Sequence, residues 1–333
     1  MFWPLLETTM QRRSLIAAAA FAATVPLVHL AAQAQDFPPK KPVTLVVGFA
    51  AGGSADSAAR VIAKKLGENI GQSVVVDNKP GAGGNLAHAQ VASGAADGSV
   101  LLFGSIGPLT IAPHFMNVRY DPLKDLAPIS MGVSFPNVLV VPASTGIKTL
   151  GEFVARAKRE PGKLDFASTG PGSAAHLAGE LLNDVARIDT VHVPYKGGAP
   201  ALQDLLGERL TSFYAAPPTA LPHIESGKLV PLATTGLTRP AYLPHVPTVA
   251  EMFPGFSATN WYAFVASDKT PKPLLDRWNQ ELVKVLNTPE VRESLLKHGQ
   301  TAAPGTRDEL GKFIAAEHAK WGRIVRERKI TAD

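Results

Sequence analysis

The chain has 333 residues, enough for two domains with a sizeable core; 45% are hydrophobic and 18% charged, a folded rather than a disordered composition. The net charge of +5 comes from 33 basic and 28 acidic residues dispersed along the chain, without the basic runs and interleaved aromatics of a nucleic-acid surface. Cysteine is absent, which excludes disulfides, thiol catalysis and cysteine-ligated metal.

The first element reads as an export leader. Arg12 and Arg13 precede an apolar run over residues 15–32, and Ala32-Gln33-Ala34 supplies a small-x-small cleavage site. Pro26 and His29 interrupt the run, which favours cleavage over a membrane anchor. The paired arginines also fit a twin-arginine signal, but the phenylalanine usual after them is missing, so the Sec route is preferred. Met10 is an alternative start. Cleavage after Ala34 removes two basic and one acidic residue and leaves a mature chain of +4 for the periplasm.

Strands and helices then alternate at βαβ spacing. "VTLVVGF" reads as a buried strand, a glycine turn follows, and residues 54–66 form a helix with Ala58, Val61, Ile62 and Leu66 on one side. "SVVVDN", the loop "KPGAGGN", a small-residue helix over 87–93 and the strand "SVLLFGS" continue the pattern. A second series starts with a helix over 151–158 and the strand "KLDFAS". The loop "TGPGS" leads into a helix over 174–185, followed by "DTVHVPY", a "GGAP" loop, a helix to 206 and "RLTSFYA". A turn at "APPTALP", a short helical piece and the strand "LVPLATT" close this series. From residue 271 onward three helices are predicted. Proline-rich strand-like runs near 135–144 and 253–267 suggest two crossings between two α/β units, an arrangement suited to a ligand between lobes.

Strand, glycine loop and helix N-terminus together form an anion site, because unpaired N–H groups and the positive helix end converge there. "GFAAGGS" lacks the P-loop lysine after Gly53, and its glycines do not follow the dinucleotide spacing. No G-x-S-x-G elbow and no H-E-x-x-H pair is present. Ser173 and His176, three apart at a helix start, admit a Ser–His hydrolase, but a capping serine and a packed histidine explain them as well. The nine histidines show no metal-ligand spacing, and neither metal nor cofactor is expected. Two similar loops remain, "FAAGGSAD" at 49–56 and "STGPGSAAH" at 168–176, each able to bind a carboxylate without a lysine. Ordinary βα turns with glycine for close packing are the alternative.

The residues also resemble a known family. "GFAAGGSAD", "VVDNKPGAGGN", "AADGSVLLFGS", "GSAAHLAGELL", "VHVPYKGGAPALQDLL", "ALPHIESGKL" and "PHVPTVAEMFPGF" occur in the order typical of Bug-type periplasmic receptors of tripartite tricarboxylate transporters. "TPKPLLDRWNQEL" and "FIAAEHAKWGRIV" continue the match to the C-terminus. The resemblance implies a two-lobed type II periplasmic-binding fold, each lobe a mainly parallel sheet flanked by helices, joined by two hinge crossings. The lobes are expected at 35–138 plus 262–333 and at 139–261.

By the same resemblance, ligand carboxylates meet Phe49, Ala50, Gly52, Gly53, Ser54 and Asp56 on one lobe. Thr169, Gly170, Ser173 and His176 face them on the other, with Ser105 and Ala216 also at the cleft. Asp56 is open to a capping role and His176 to bracing its loop. Where relatives often read "VDLMFDNLPSALPHI", this chain has "LTSFYAAPPTALPHI": Thr211 and Ala215 replace aspartates, and Ala216 an amide-bearing residue. That disfavours an ammonium-bearing ligand and favours a less cationic or more apolar acid; the ligand class is a di- or tricarboxylate or an aromatic acid, with Tyr214 and Trp261 either pocket aromatics or core residues. The implied partners are that acid and membrane permease subunits, with the receptor a monomer and not an enzyme. A sensory receptor serving a membrane signalling protein would carry the same site.

Overall fold

The computed structural model describes residues 37–328 and 331; the leader, its cleavage site and the alternative start lie outside the described residues. The chain runs β1 (Val43–Val47), α1 (Ser54–Ile70), β2 (Val74–Asn78), α2 (Asn85–Ala92) and β3 (Val100–Ser105). A single π-helical turn at Gly107–Ile111 follows, then the long β4 (Leu126–Pro136). Next come β5 (Val138–Pro142), α3 (Leu150–Arg159), β6 (Asp165–Ser168), α4 (Ala174–Ala186) and β7 (Val191–Pro194). This series continues through α5 (Gly198–Leu206), β8 (Ser212–Ala215), α6 (Pro217–Glu225), β9 (Leu229–Thr234) and the short α7 (Val249–Met252). The chain closes with β10 (Thr259–Ser267), α8 (Lys272–Leu286), α9 (Pro289–Lys297), β11 (Thr301–Ala302) and α10 (Arg307–Arg328).

The apolar runs explain where the sheets lie. In β1, Val43, Leu45, Val46 and Val47 are at most 2% exposed, so this strand is covered on both faces. Each such side chain contributes about 1.5–3 kcal/mol through burial. α1 lays Ala58, Ala59, Ile62 and Leu66 on the sheet and ends at Gly71, whose φ of 67° is the left-handed C-cap geometry. α8 covers the same face with Trp278, whose Nε1 donates to Gly98 O at 3.0 Å.

Two sheets result, with strand orders β11-β4-β10-β3-β1-β2 and β7-β6-β8-β5-β9. In the first, β1 is parallel to β2 and β3, while β10 is antiparallel to both β3 and β4. In the second, β6 is parallel to β7 and β8, and β5 is antiparallel to β8 and β9. The two-lobed architecture stands, but the sheets are mixed rather than mainly parallel. Helical crossovers make the parallel pairs, whereas strands entering directly from the other sheet arrive in the opposite sense.

The chain crosses between the sheets at Asn137 and again between Thr235 and Ala258, and hydrogen bonds tie the two crossings together. Asn137 N–H donates to Thr235 Oγ1 at 2.9 Å, and Thr235 N–H returns to Asn137 O at 2.9 Å. Thr235 Oγ1 donates to Ala258 O at 2.8 Å, and Asn260 Nδ2 reaches Asn137 Oδ1 at 3.3 Å.

Two local expectations change. The run near 135–144 is two strands meeting at Asn137, the first beginning at Leu126. The "APPTALP" turn is the start of α6, where Pro217 and Pro218 occupy the first helical positions, which need no N–H donor.

Candidate ligand-binding site

The first loop joins β1 to α1. Its helix is capped by Gly53, with φ −85° and ψ 178°, and no side chain caps it. Ser54 turns away and its Oγ pairs with Tyr262 OH at 2.8 Å. Asp56 Oδ2 instead accepts from Gly52 N–H at 2.9 Å, which folds the loop back on its own helix. Arg60 holds the same carboxylate, Nε to Oδ2 at 3.0 Å and a terminal nitrogen to Oδ1 at 2.8 Å. Burial pushes the Asp56 pKa up, but the bonds from Arg60, Gly52 and Asn78 outweigh it and leave the group below its ordinary value. Its charge is therefore spent within the loop.

Phe49 and Tyr262 belong to one apolar cluster, and Ala216 packs against that cluster from the second lobe. Ser105 stands directly opposite Tyr262 in the β3–β10 register. It is 3% exposed and its Oγ has no partner, while its N–H donates to His88 Nε2 at 3.3 Å. His88 Nδ1 lies 2.9 Å from Gly84 O, so the neutral ring donates there and accepts from Ser105. Burial holds His88 down to about 4, against the weaker pull of the Gly84 bond. Burial likewise drives the Tyr262 hydroxyl up to about 12, with the Ser54 bond opposing it, so Tyr262 is neutral.

The second loop joins β6 to α4. Ser173 caps α4, its Oγ accepting His176 N–H at 3.2 Å. The His176 ring accepts Gly172 N–H through Nδ1 at 3.2 Å. Ser168 Oγ accepts Gly170 N–H at 3.0 Å and pairs with His192 Nε2 at 2.6 Å. The Ser173 hydroxyl thus meets a backbone amide, and the acceptor nitrogen of His176 is already occupied. Burial, aided by His192, holds His176 down to about 3, and burial holds His192 down to about 4.

The lobes touch around these loops. Ala50 N–H donates to Lys196 O at 3.1 Å, joining the first loop to the β7–α5 turn. A Cβ on Gly52 would lie 3.8 Å from the Cβ of Ala199. The structure therefore gathers Phe49, Ser54 and Ser105 around Tyr262, packs Ala216 against the same cluster, and groups Thr169, Gly170, Ser173 and His176 on one loop of the other lobe. Asp56 and His176 act on their own loops.

Sequence reasoning missed Tyr262, His192 and the turn at 196–199. The last carried a usable signal: "YKGGAP" repeats the strand, double glycine and helix pattern of the first loop. A groove of about 860 Å³ between α8 and α10, containing the Arg307–Asp276 ion pair, is lined by none of the loop residues.

With this geometry in place, residues 58–330 match the family model described as tripartite tricarboxylate transporter family receptor. The chain belongs to that family. It is 37% identical to the protein BugT of Bordetella pertussis, over 87% of this chain and 90% of BugT. Among solved structures it is similar to Rhodopseudomonas palustris Rpa4515 with adipate. That match has 32% identity and a TM-score of 0.85, covering 89% of this chain and 99% of the other. MatC from the same organism, with bound malate, matches at 30% identity and a TM-score of 0.82, over 86% and 99% of the two chains. Both are carboxylate complexes of the same two-sheet fold.

Proposed function

We propose that this protein is a periplasmic receptor that closes on a small organic carboxylate and delivers it, chemically unchanged, to a tripartite-type membrane permease. The observation that carries the reading is the pair of glycine loops at the starts of α1 and α4, one on each lobe, where the lobes meet: the first loop touches the turn at 196–199 and the second touches Gly83 and Gly107. The adipate and malate held by Rpa4515 and MatC support a carboxylate as the ligand.

In this reading the acid lies against residues 49–54 and Ser105 on one side and Thr169, Gly170 and Ser173 on the other, with Ala216 at the edge. Asp56 and His176 shape the loops. The lobes, 35–138 with 262–333 and 139–261, swing about the Asn137 and Thr235 crossings. The leader at 1–34 exports the chain, which works as a monomer and performs no chemistry. The carboxylate gains charge-assisted bonds to backbone amides and a helix-end contribution of about 0.3–1 kcal/mol per loop, more when partly buried.

A thermal-shift screen of adipate, malate, citrate and aromatic acids tests the proposal. A ligand present at a hundred times its Kd stabilises by about 2.7 kcal/mol, a readily measured rise in Tm. No shift with any acid overturns it.

A further inference from the structure

The contact between the lobes contains a seam in which backbone meets backbone and a single methyl group has no room. A Cβ on Gly107 would lie 2.4 Å from Gly172 O, and its three nearest neighbours are all atoms of Gly172 and Ser173. A Cβ on Gly83 would lie 2.1 Å from Pro171 O, and one on Gly170 would lie 2.7 Å from the Cα of Gly83. Gly172 closes the seam against Ala112, whose Cβ would be 2.9 Å from its own. All of these second-lobe atoms belong to the loop at 170–173, the loop that also holds one side of the candidate site. Ala112, Ala174 and Ala175 belong to a single buried cluster that spans both lobes, so the seam is backed by apolar side chains.

Gly107 separates two reasons for glycine. Its backbone is in a helical turn and not in the left-handed region, so alanine is locally compatible. What excludes alanine is the other lobe.

We infer that Gly83 and Gly107 are positioning residues for closure: without touching the ligand, they set its affinity by allowing the 170–173 loop to seat only when the lobes are shut. The inference rests on the reading of the protein as a closing receptor. Because packed interfaces are bistable and not continuously deformable, an obstruction of one methyl shifts the population toward the open form.

The absence of cysteine provides a test that needs no ligand. The 3.8 Å between a Cβ on Gly52 and that of Ala199 falls in the usual disulfide range of about 3.5–4.5 Å, and the strain of a side chain at the left-handed φ of 80° at Gly52 is common to every variant compared. The double variant Gly52→Cys/Ala199→Cys, treated with oxidised glutathione, is therefore cross-linked only from the closed form and shows this as a gel shift. The initial rate is compared with and without Gly107→Ala; Gly83→Asn, whose side chain tolerates the left-handed backbone that Gly83 adopts at φ 63°, is a second arm in case the first does not fold. Gly311→Ala on α10, where a Cβ meets only Pro128 at 3.4 Å, is the control.

The expected result is a rate lowered about tenfold or more by either seam substitution and unchanged by the control, with the circular dichroism spectrum of the parent retained. Equal rates in seam variants and parent overturn the inference, and so does a parent that never cross-links. The thermal-shift screen on the chain without cysteines tests the receptor reading separately, since Gly52 belongs to the candidate ligand loop. Gly107-dependent cross-linking together with no thermal shift by any acid keeps the seam and counts against the carboxylate.

Discussion

The imidazole of His176 lies flat on that of His192, with ring centroids 4.0 Å apart and planes inclined by 19°. Two cations cannot occupy this arrangement, and both rings are committed to neutral roles. His176 accepts Gly172 N–H, while His192 pairs with Ser168, which in turn accepts Gly170 N–H. The stack is the internal support of the 168–176 loop.

The pH dependence of stability follows. In the unfolded chain both side chains titrate near 6.5, but in the folded protein burial lowers them to about 3 and about 4. Below 6.5 the unfolded state therefore binds more protons, so stability is fully present above that pH and declines as pH falls toward 4. His88, held at about 4, adds to the same slope. The combined loss is on the order of a few kcal/mol. Tm measured from pH 7 to pH 4.5 should fall continuously, and less steeply in His176→Gln/His192→Gln; a flat profile contradicts the neutral stack.

Ser105 separates binding from folding. Its Oγ is buried without a partner, so Ser105→Ala should leave the Tm of the free protein unchanged or slightly higher. Loss of one hydrogen bond to the ligand, about 0.5–1.5 kcal/mol, should weaken acid binding roughly two- to tenfold in calorimetric titration. A variant that loses stability but keeps its affinity would remove Ser105 from the site.

Asp56 should behave in the opposite way. Asp56→Ala leaves Gly52 N–H and Arg60 without their shared acceptor and should cost about 1–3 kcal/mol in urea denaturation, whether or not acid is present. Asp56→Asn, which can still accept from Gly52, should recover part of that loss. Full stability in the alanine variant would show that the loop holds its shape by other means.

Ala216 tests the character of the ligand. It packs against the cluster containing Phe49 and Tyr262, so Ala216→Asp sets a carboxylate beside the site. Affinity for the best acid of the screen should drop by about tenfold or more through like-charge repulsion and desolvation. Ammonium-bearing acids should lose less. An unchanged dicarboxylate affinity would place Ala216 away from the ligand.

Much of this was legible in the chain because glycine-flanked valine strands such as "VTLVV" have few alternatives once helices follow at βαβ spacing. The two candidate loops were visible for the same reason: a pair of closely spaced glycines between a buried strand and a helix start is a local signature. β4 was hidden because Pro128, Gly132 and Pro136 break its pattern, and its strand character comes from pairing with β10, more than a hundred residues later. Tyr262 and His192 were hidden because their roles depend on partners distant in sequence, Ser54 for one and Ser168 for the other. No window around either residue contains its partner.

The place of β10 in the first sheet has a consequence for how the protein is made. This strand lies between β3 and β4, yet it follows the whole of the second sheet in the chain. As the polypeptide emerges N-terminus first, β3 has β1 on one side and an open edge on the other. That edge stays open until residues 259–267 appear and Tyr262 can align with Ser105. Every strand of the second sheet can pair before then, so assembly runs from the inserted lobe outward. The long-range β3–β10 closure is entropically costly and slow. The first lobe, which carries half of the candidate site, is thus the last part of the molecule to become native, and a chain halted before β10 should present β3 as its main site of aggregation.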